Sequence, residues 1–120
     1  MLSFRRLFTS TPVLSHIMAD AKTKAQSIID ENAVAVFSKS YCPYCSASKR
    51  LLDSFGTKYK VVELDEVPDG SAIQDALREI SSQTTVPNIW IGKKHIGGNS
   101  DLQGKNKDEL KNLLVEVGAL

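Results

Sequence analysis

Only two of the 120 residues are cysteine, two are histidine and one is tryptophan. A structural zinc site takes four Cys or His ligands. Beyond the cysteines only His16 and His95 remain, the first in a leader-like segment and the second between Lys94 and Ile96 in a short strand. So few thiols fit a reducing compartment better than a disulfide-stapled secreted framework. An excess of charge is also missing: the formal net charge is +1, which gives no reason to invoke nucleic acid or an anionic membrane as a partner. The longest apolar run is far too short to span a bilayer, and no internal repeat is visible. With 42% hydrophobic and 24% charged residues, the composition is that of one domain around one core.

Acidic residues are absent from the first nineteen positions, which carry Arg5, Arg6 and the hydroxyls Ser3, Thr9, Ser10, Thr11 and Ser15. Phe4, Leu7 and Phe8 would share one face if this stretch were helical. Basic, hydroxyl-rich and acid-free is the composition of a mitochondrial transit peptide. No apolar core follows the arginines as a secretory signal requires, and a disordered tail is the plainer alternative. Residues 1–19 are therefore read as a leader and residues 20–120 as the folded domain. Without the leader 13 basic and 14 acidic residues remain, net −1. Initiation at Met18 would give a form without it, so the expected location is mitochondrial, cytoplasmic or both.

Both cysteines fall in Tyr41-Cys42-Pro43-Tyr44-Cys45, where an apolar run of strand length, Ala33 to Phe37, gives way to a helical pattern. A C-x-x-C pair at such a junction marks thiol–disulfide exchange. Pro43 in the first helical turn makes Cys42 the N-cap, with its sulfur facing the unpaired N–H groups of Tyr44 and Cys45. Cys45 lies three residues on, on the same face. A free thiol with a pKa near 8.5 is only about 3% thiolate at neutral pH, and helix N-termini with nearby cations lower that pKa. The helix dipole supplies roughly 0.3–1 kcal/mol. The rest must come from hydrogen bonds to the charged sulfur, about 1.5–3 kcal/mol each, and from a cation, for which Lys39 is the candidate. Cys42 is thus the expected nucleophile and Cys45 the resolving thiol. A structural disulfide across so short a loop would contribute only about 2 kcal/mol.

Helical spacing of Ala21, Ala25, Ile28 and Ile29 predicts a helix over Asp20 to Asn32, followed by a strand over Ala33 to Phe37. The active-site helix covers 43–55, burying Ala47, Leu51, Leu52 and Phe55. Lys60 to Leu64 reads as a second strand. After the Pro68-Asp69-Gly70 turn, Ser71 and Gln74 form a capping box for a helix carrying Ile73, Ala76, Leu77 and Ile80. Asn88 to Ile91 and Lys94 to Ile96 pair across a tight Gly92-Lys93 connection. A last helix carries Leu110, Leu113, Leu114 and Val117. Strand–helix–strand alternation implies a right-handed parallel pair, and the hairpin an antiparallel second half. Trp90 is read as packed in the sheet, and His95 as an exposed strand residue without a role.

In this order and spacing the chain resembles the dithiol glutaredoxins of the thioredoxin-like superfamily. Three motifs carry the resemblance, which covers about Ala21 to Leu120: Lys39 with Tyr41-Cys42-Pro43-Tyr44-Cys45, Thr85-Val86-Pro87, and Gly97-Gly98-Asn99-Ser100-Asp101. It implies an α/β fold with a four-stranded mixed sheet flanked by helices on both faces, and a cis proline at Pro87 facing the sulfurs. It further implies glutathione as co-substrate and no metal. Lys39 and Gln83 would hold its glycine carboxylate, Tyr44 would line the groove, and Val86 would pair with its backbone by β-augmentation beside Pro87. Ser100 and Asp101 would hold its glutamyl end, the carboxylate meeting an ammonium. Taken alone, Asp101 could equally cap a short helix and Lys39 be a solvated charge.

The expected activity is glutathione-dependent reduction of glutathionylated proteins and small disulfides by a monomer. A thioredoxin reduced by a flavoenzyme fits less well, because an aromatic-Cys-Gly-Pro-Cys site is absent. The rival from another class is a binding module, two chains bridging a [2Fe–2S] cluster through Cys42 and two glutathiones. Pro43 beside a usable Cys45 favours the intramolecular disulfide instead.

Overall fold

A computed structural model describes residues 11–120, with side chains from residue 16 onward. The elements in order are α1 (Thr11–Glu31), β1 (Val34–Ser38), α2 (Pro43–Ser54), β2 (Lys60–Glu63), α3 (Gly70–Ser81), β3 (Asn88–Ile91), β4 (Lys94–Gly97), α4 (Asn99–Gln103) and α5 (Lys107–Glu116). The four strands form one sheet in the order β2-β1-β3-β4. β1 runs parallel to β2 and antiparallel to β3, and β3 is antiparallel to β4. This is the mixed α/β thioredoxin-like sheet expected above. Lys93 and Gly92 both have positive φ, 69° and 58°, the backbone of a type I′ hairpin turn.

Alternation along the strands divides the core in two. Ala35, Phe37, Val62 and Trp90 point to one face, where they meet Ala25 and Ile29 of α1 and Ile73 and Leu77 of α3. Val34, Val36, Ile89 and Ile91 point to the other, against Leu52 of α2, Leu102 of α4 and Leu110 and Leu114 of α5. β1 is buried at every position, because it is central and helices cover both its faces. Helices on both sides thus hold the β1–α2 junction at one end of the sheet.

Three local expectations are corrected. The first helix does not begin at Asp20 but at Thr11. Residues 16–20 are exposed, Ile17 and Met18 among them, and Ala21 is the first buried residue of the helix among those whose side chains are described. The Ser71–Gln74 capping box does not form, because α3 already starts at Gly70 and its N-cap, Asp69, makes no side-chain cap. Asp69 instead accepts from Lys24 of α1 at 2.9 Å, and Gln74 Nε2 donates to the Thr84 carbonyl at 3.0 Å. Close approach of chain segments explains the early start: a Cβ on Gly70 would lie 1.8 Å from the Leu64 carbonyl oxygen. The third correction is α4, a five-residue helix missing from the element order expected from the sequence. Only Leu102 of its side chains is buried, too little to register as a periodic pattern. Of the leader segment, residues 1–10 lie outside the described residues.

Candidate active site

Cys42 is the N-cap of α2, with Pro43 in the first turn. Extended backbone at Cys42 (φ −85°, ψ 119°) turns its side chain back over the helix end, and Cys45 N–H donates to its sulfur at 3.4 Å. Both cysteines are unbridged. Partial burial of Cys42 opposes its anion. The Cys45 N–H and thiol, the Tyr44 N–H and the charge of Lys49 outweigh that burial and hold the Cys42 thiol below its ordinary pKa. Cys45 is fully buried. Burial, with the neighbouring Cys42, pushes its pKa up against the opposing pull of the Lys39 backbone and the Ser38 hydroxyl. Two sulfurs one turn apart thus occupy environments of opposite sense.

Lys49, rather than Lys39, is the cation whose charge contributes to lowering the Cys42 pKa. Lys49 follows Cys42 by seven positions, two helical turns along the same face, a signal that was readable from the spacing. Its Nζ is shared with Glu63 of β2 at 2.6 Å, a pair only 21% and 22% exposed. Lys39 stands near Asp65, whose carboxyl is held below the usual range by the Ser40 hydroxyl and N–H and then by the Lys39 charge. Ser40 N–H donates to Asp65 Oδ1 at 2.9 Å and its hydroxyl to Asp65 Oδ2. These bonds moor the loop before Cys42 to the segment after β2. Nothing in the sequence marked this pairing, because 25 positions separate its members.

Beside the sulfur lies a cleft of about 590 Å³ lined by Tyr44, Gln83, Thr85, Val86, Pro87, Gly98, Asn99, Ser100 and Asp101. Six of the residues expected to bind ligand are therefore brought together, and the peptide bond Val86–Pro87 is cis. Cys42 sits on the rim, its Sγ 3.9 Å from the Val86 carbonyl. Lys39 is not among the lining residues. Thr85 and Asn99 line it without having been singled out, although each lay within a motif that was. Gln83 presents a busy amide: Nε2 donates to the carbonyls of Thr85 at 2.9 Å and Pro87 at 2.8 Å. In this arrangement both its N–H groups are used, so it offers no free donor for a carboxylate.

Opposite Gln83, the Gly98–Asp101 turn closes the cleft. Gly98 N–H donates to Asp101 Oδ2 at 2.9 Å, so Asp101 does cap α4 and also lines the cleft. Gly97 makes this possible. Its φ is +121°, and a Cβ there would lie 2.2 Å from Asp101 Oδ2. Asn99 ties the turn to the active-site helix: the wholly buried Ser48 hydroxyl of α2 donates to Asn99 Oδ1 at 2.8 Å. Gln103 Nε2 donates to the same oxygen at 3.1 Å.

A thiol of lowered pKa at a helix N-terminus beside an open, polar-rimmed cleft suits thiol–disulfide exchange with a small peptide-like disulfide. Known proteins point the same way. Residues 34–96 match the family model described as Glutaredoxin. A glutaredoxin of Ricinus communis is 54% identical over 101 residues, covering 83% of this chain and 99% of its own length. Glutaredoxin-C2 of Arabidopsis thaliana is 50% identical over 101 residues, covering 83% and 91%. The crystal structure of a buckwheat glutaredoxin–glutathione complex superposes with a TM-score of 0.84 at 45% identity, covering 88% of this chain and 96% of that one. The chain belongs to the glutaredoxin family, the glutathione-dependent thiol–disulfide oxidoreductases.

Proposed function

We propose that Cys42 is the nucleophile of this oxidoreductase, that Cys45 resolves, and that the cleft along Val86–Pro87 receives glutathione. The observation that carries the reading is the position of the Cys42 sulfur, hydrogen-bonded at the N-terminus of α2 and 3.9 Å from the Val86 carbonyl on the cleft rim. Glutathione is a tripeptide with two carboxylates and one ammonium, and a groove with polar groups at both ends suits it. Tyr44, Val86 and Pro87 flank the peptide. Ser100 and the Asp101 carboxylate meet the glutamyl end, and Lys39 meets the glycine end from beyond the lining residues.

In the first step the Cys42 thiolate attacks the glutathione sulfur of a glutathionylated protein or a small disulfide. The protein thiolate leaves and takes up a proton, and Cys42 is left in a mixed disulfide with glutathione. A second glutathione thiolate then attacks that glutathione sulfur. Oxidised glutathione departs and the Cys42 thiolate returns. On protein disulfides, Cys42 first joins one protein sulfur in a mixed disulfide and the other leaves as a thiolate that takes up a proton. Cys45 then loses its proton and attacks the Cys42 sulfur, the second protein thiolate departs, and two glutathiones reopen the Cys42–Cys45 disulfide. Rates follow the thiolate fraction and the pKa of the leaving thiol.

A coupled assay with a small mixed disulfide, glutathione and glutathione reductase tests the scheme. Cys42→Ser abolishes turnover, whereas Cys45→Ser retains reduction of glutathione mixed disulfides. Substantial activity in Cys42→Ser refutes it.

Residues 1–19 are proposed as a mitochondrial leader, with a leaderless form from Met18 in the cytosol. Their acid-free composition supports this, as does the exposure of residues 16–20 ahead of the buried Ala21. N-terminal sequencing of protein from separated mitochondria and cytosol decides it, and a single form beginning at Met1 in both fractions contradicts it.

A further inference from the structure

His95, which entered as an exposed strand residue, is bonded to the cleft wall. The Gln83 amide fixes the direction of that bond. Its Nε2 donates to the carbonyls of Thr85 and Pro87, 2.9 and 2.8 Å away. Turning the amide over would set Oε1 against two carbonyl oxygens, so Oε1 must face the other way, toward His95 Nε2 at 3.0 Å. An amide oxygen has no hydrogen to give, so the imidazole donates and its proton sits on Nε2. His95 pairs across β3–β4 with Trp90, and the rings lie 5.0 Å apart at 47°. That contact orients the imidazole for the bond. Burial holds the His95 pKa below the ordinary value against the opposing charge of Asp101 across the cleft. Neutral imidazole protonated on Nε2 and imidazolium alike donate from that nitrogen, so the bond itself fixes a hydrogen on Nε2.

Gln83, Thr85 and Pro87 all line the cleft, so the bonds run from the edge strand through one amide into two backbone carbonyls of its wall. We propose that His95 is a positioning residue for the glutathione cleft: by donating to Gln83 Oε1 it locks the amide that braces the Thr85–Pro87 wall facing Cys42. Ligand then meets a wall already in its bound shape and loses less freedom on binding. His95 touches neither sulfur, so its effect falls on substrate capture more than on the chemical step.

The kinetic arm of the test rests on the glutathione reading, and the spectroscopic arm does not. In free protein, ¹⁵N imidazole shifts place the His95 proton on Nε2, and Gln83→Ala returns the ring to an unconstrained tautomer mixture. In the coupled assay His95→Phe, which keeps a ring against Trp90, raises KM for a small glutathione mixed disulfide about fivefold, as one lost hydrogen bond implies. The accompanying fall in kcat is smaller. His95→Gln, which restores an N–H donor, brings KM back to within about twofold. His95→Phe combined with Gln83→Ala costs no more than the worse single change, because both break one brace. A tautomer indifferent to Gln83→Ala, a KM unmoved in His95→Phe, or additive losses in the double variant each overturn the proposal. Wild-type protein inactive on glutathione disulfides sinks the functional reading alone, and the ¹⁵N shifts still decide the His95–Gln83 bond.

Discussion

Cys42 and Cys45 carry the same thiol into opposite surroundings. Donors and a cation hold the Cys42 pKa down against its partial burial, and burial drives the Cys45 pKa up. Alkylation rate tracks the thiolate fraction. Cys42 should therefore reach half-maximal reactivity below the ordinary thiol pKa, and Cys45, measured in Cys42→Ser, above it. Lys49→Met should move the Cys42 midpoint upward and Lys39→Met should move it less, as mass spectrometry of pH-dependent alkylation would show. A larger shift from Lys39 would restore the cation expected from sequence proximity. Tyr59 has a strongly displaced titration, pushed up to about 12 by burial and by its Asp53 neighbour. Its hydroxyl donates to Asp53 Oδ1 at 2.8 Å. A raised pKa means its contribution to stability is fully present below the ordinary phenol value near ~10 and lost as pH rises through about 12. Ultraviolet titration should show one of the three tyrosines ionising late, and Tyr59→Phe should remove that late step.

At the level of elements, the site depends on how α2 and α4 are held together. Asn99 is the link, accepting from the buried Ser48 and from Gln103. Asn99→Ala leaves a buried hydroxyl without its partner, a loss of about 1–3 kcal/mol. Ser48→Ala leaves Asn99 Oδ1 still bonded to Gln103 and should cost only about 0.5–1.5 kcal/mol. Urea denaturation of the two variants checks the order, and a costlier Ser48→Ala contradicts it. Gly97→Ala should be costlier than about 1 kcal/mol, because φ is +121° and a Cβ would strike the Asp101 carboxylate. What the sequence showed plainly at this scale were β1, through the unbroken apolar run Ala33 to Phe37, and two elements with a buried periodic face, α3 and the C-terminal helix, where Leu110 and Leu114 mark the stripe. It showed the cysteine junction equally plainly, since N-cap, proline and C-x-x-C are all local. α4 was hidden because one buried leucine makes no period. The start of α3 was hidden because it depends on Gly70 meeting Leu64, a contact between chain segments. His95–Gln83 and Ser40–Asp65 were hidden for the same reason, since polar pairs across the fold leave no spacing to read.

Across the whole molecule, two apolar clusters clamp the sheet from either face, and the reactive junction sits where the central strand leaves it. Because Ala21 is the first buried residue of α1 among those whose side chains are described, removing residues 1–19 should leave the thermal midpoint and glutathione-linked turnover close to those of the full chain. A large loss of either would mean that the segment packs on the domain. Phe37→Ala, by contrast, should cost about 3–5 kcal/mol, since Phe37 is fully buried in the central strand. The central claim is that a stabilised Cys42 anion exchanges directly with glutathione seated beside it. Its most direct test is to treat Cys45→Ser protein with oxidised glutathione and map the adduct by peptide mass spectrometry. One glutathionyl group on Cys42, removed by added glutathione and absent from Cys42→Ser, is the predicted result. No adduct at Cys42, or an adduct that glutathione cannot remove, contradicts the account.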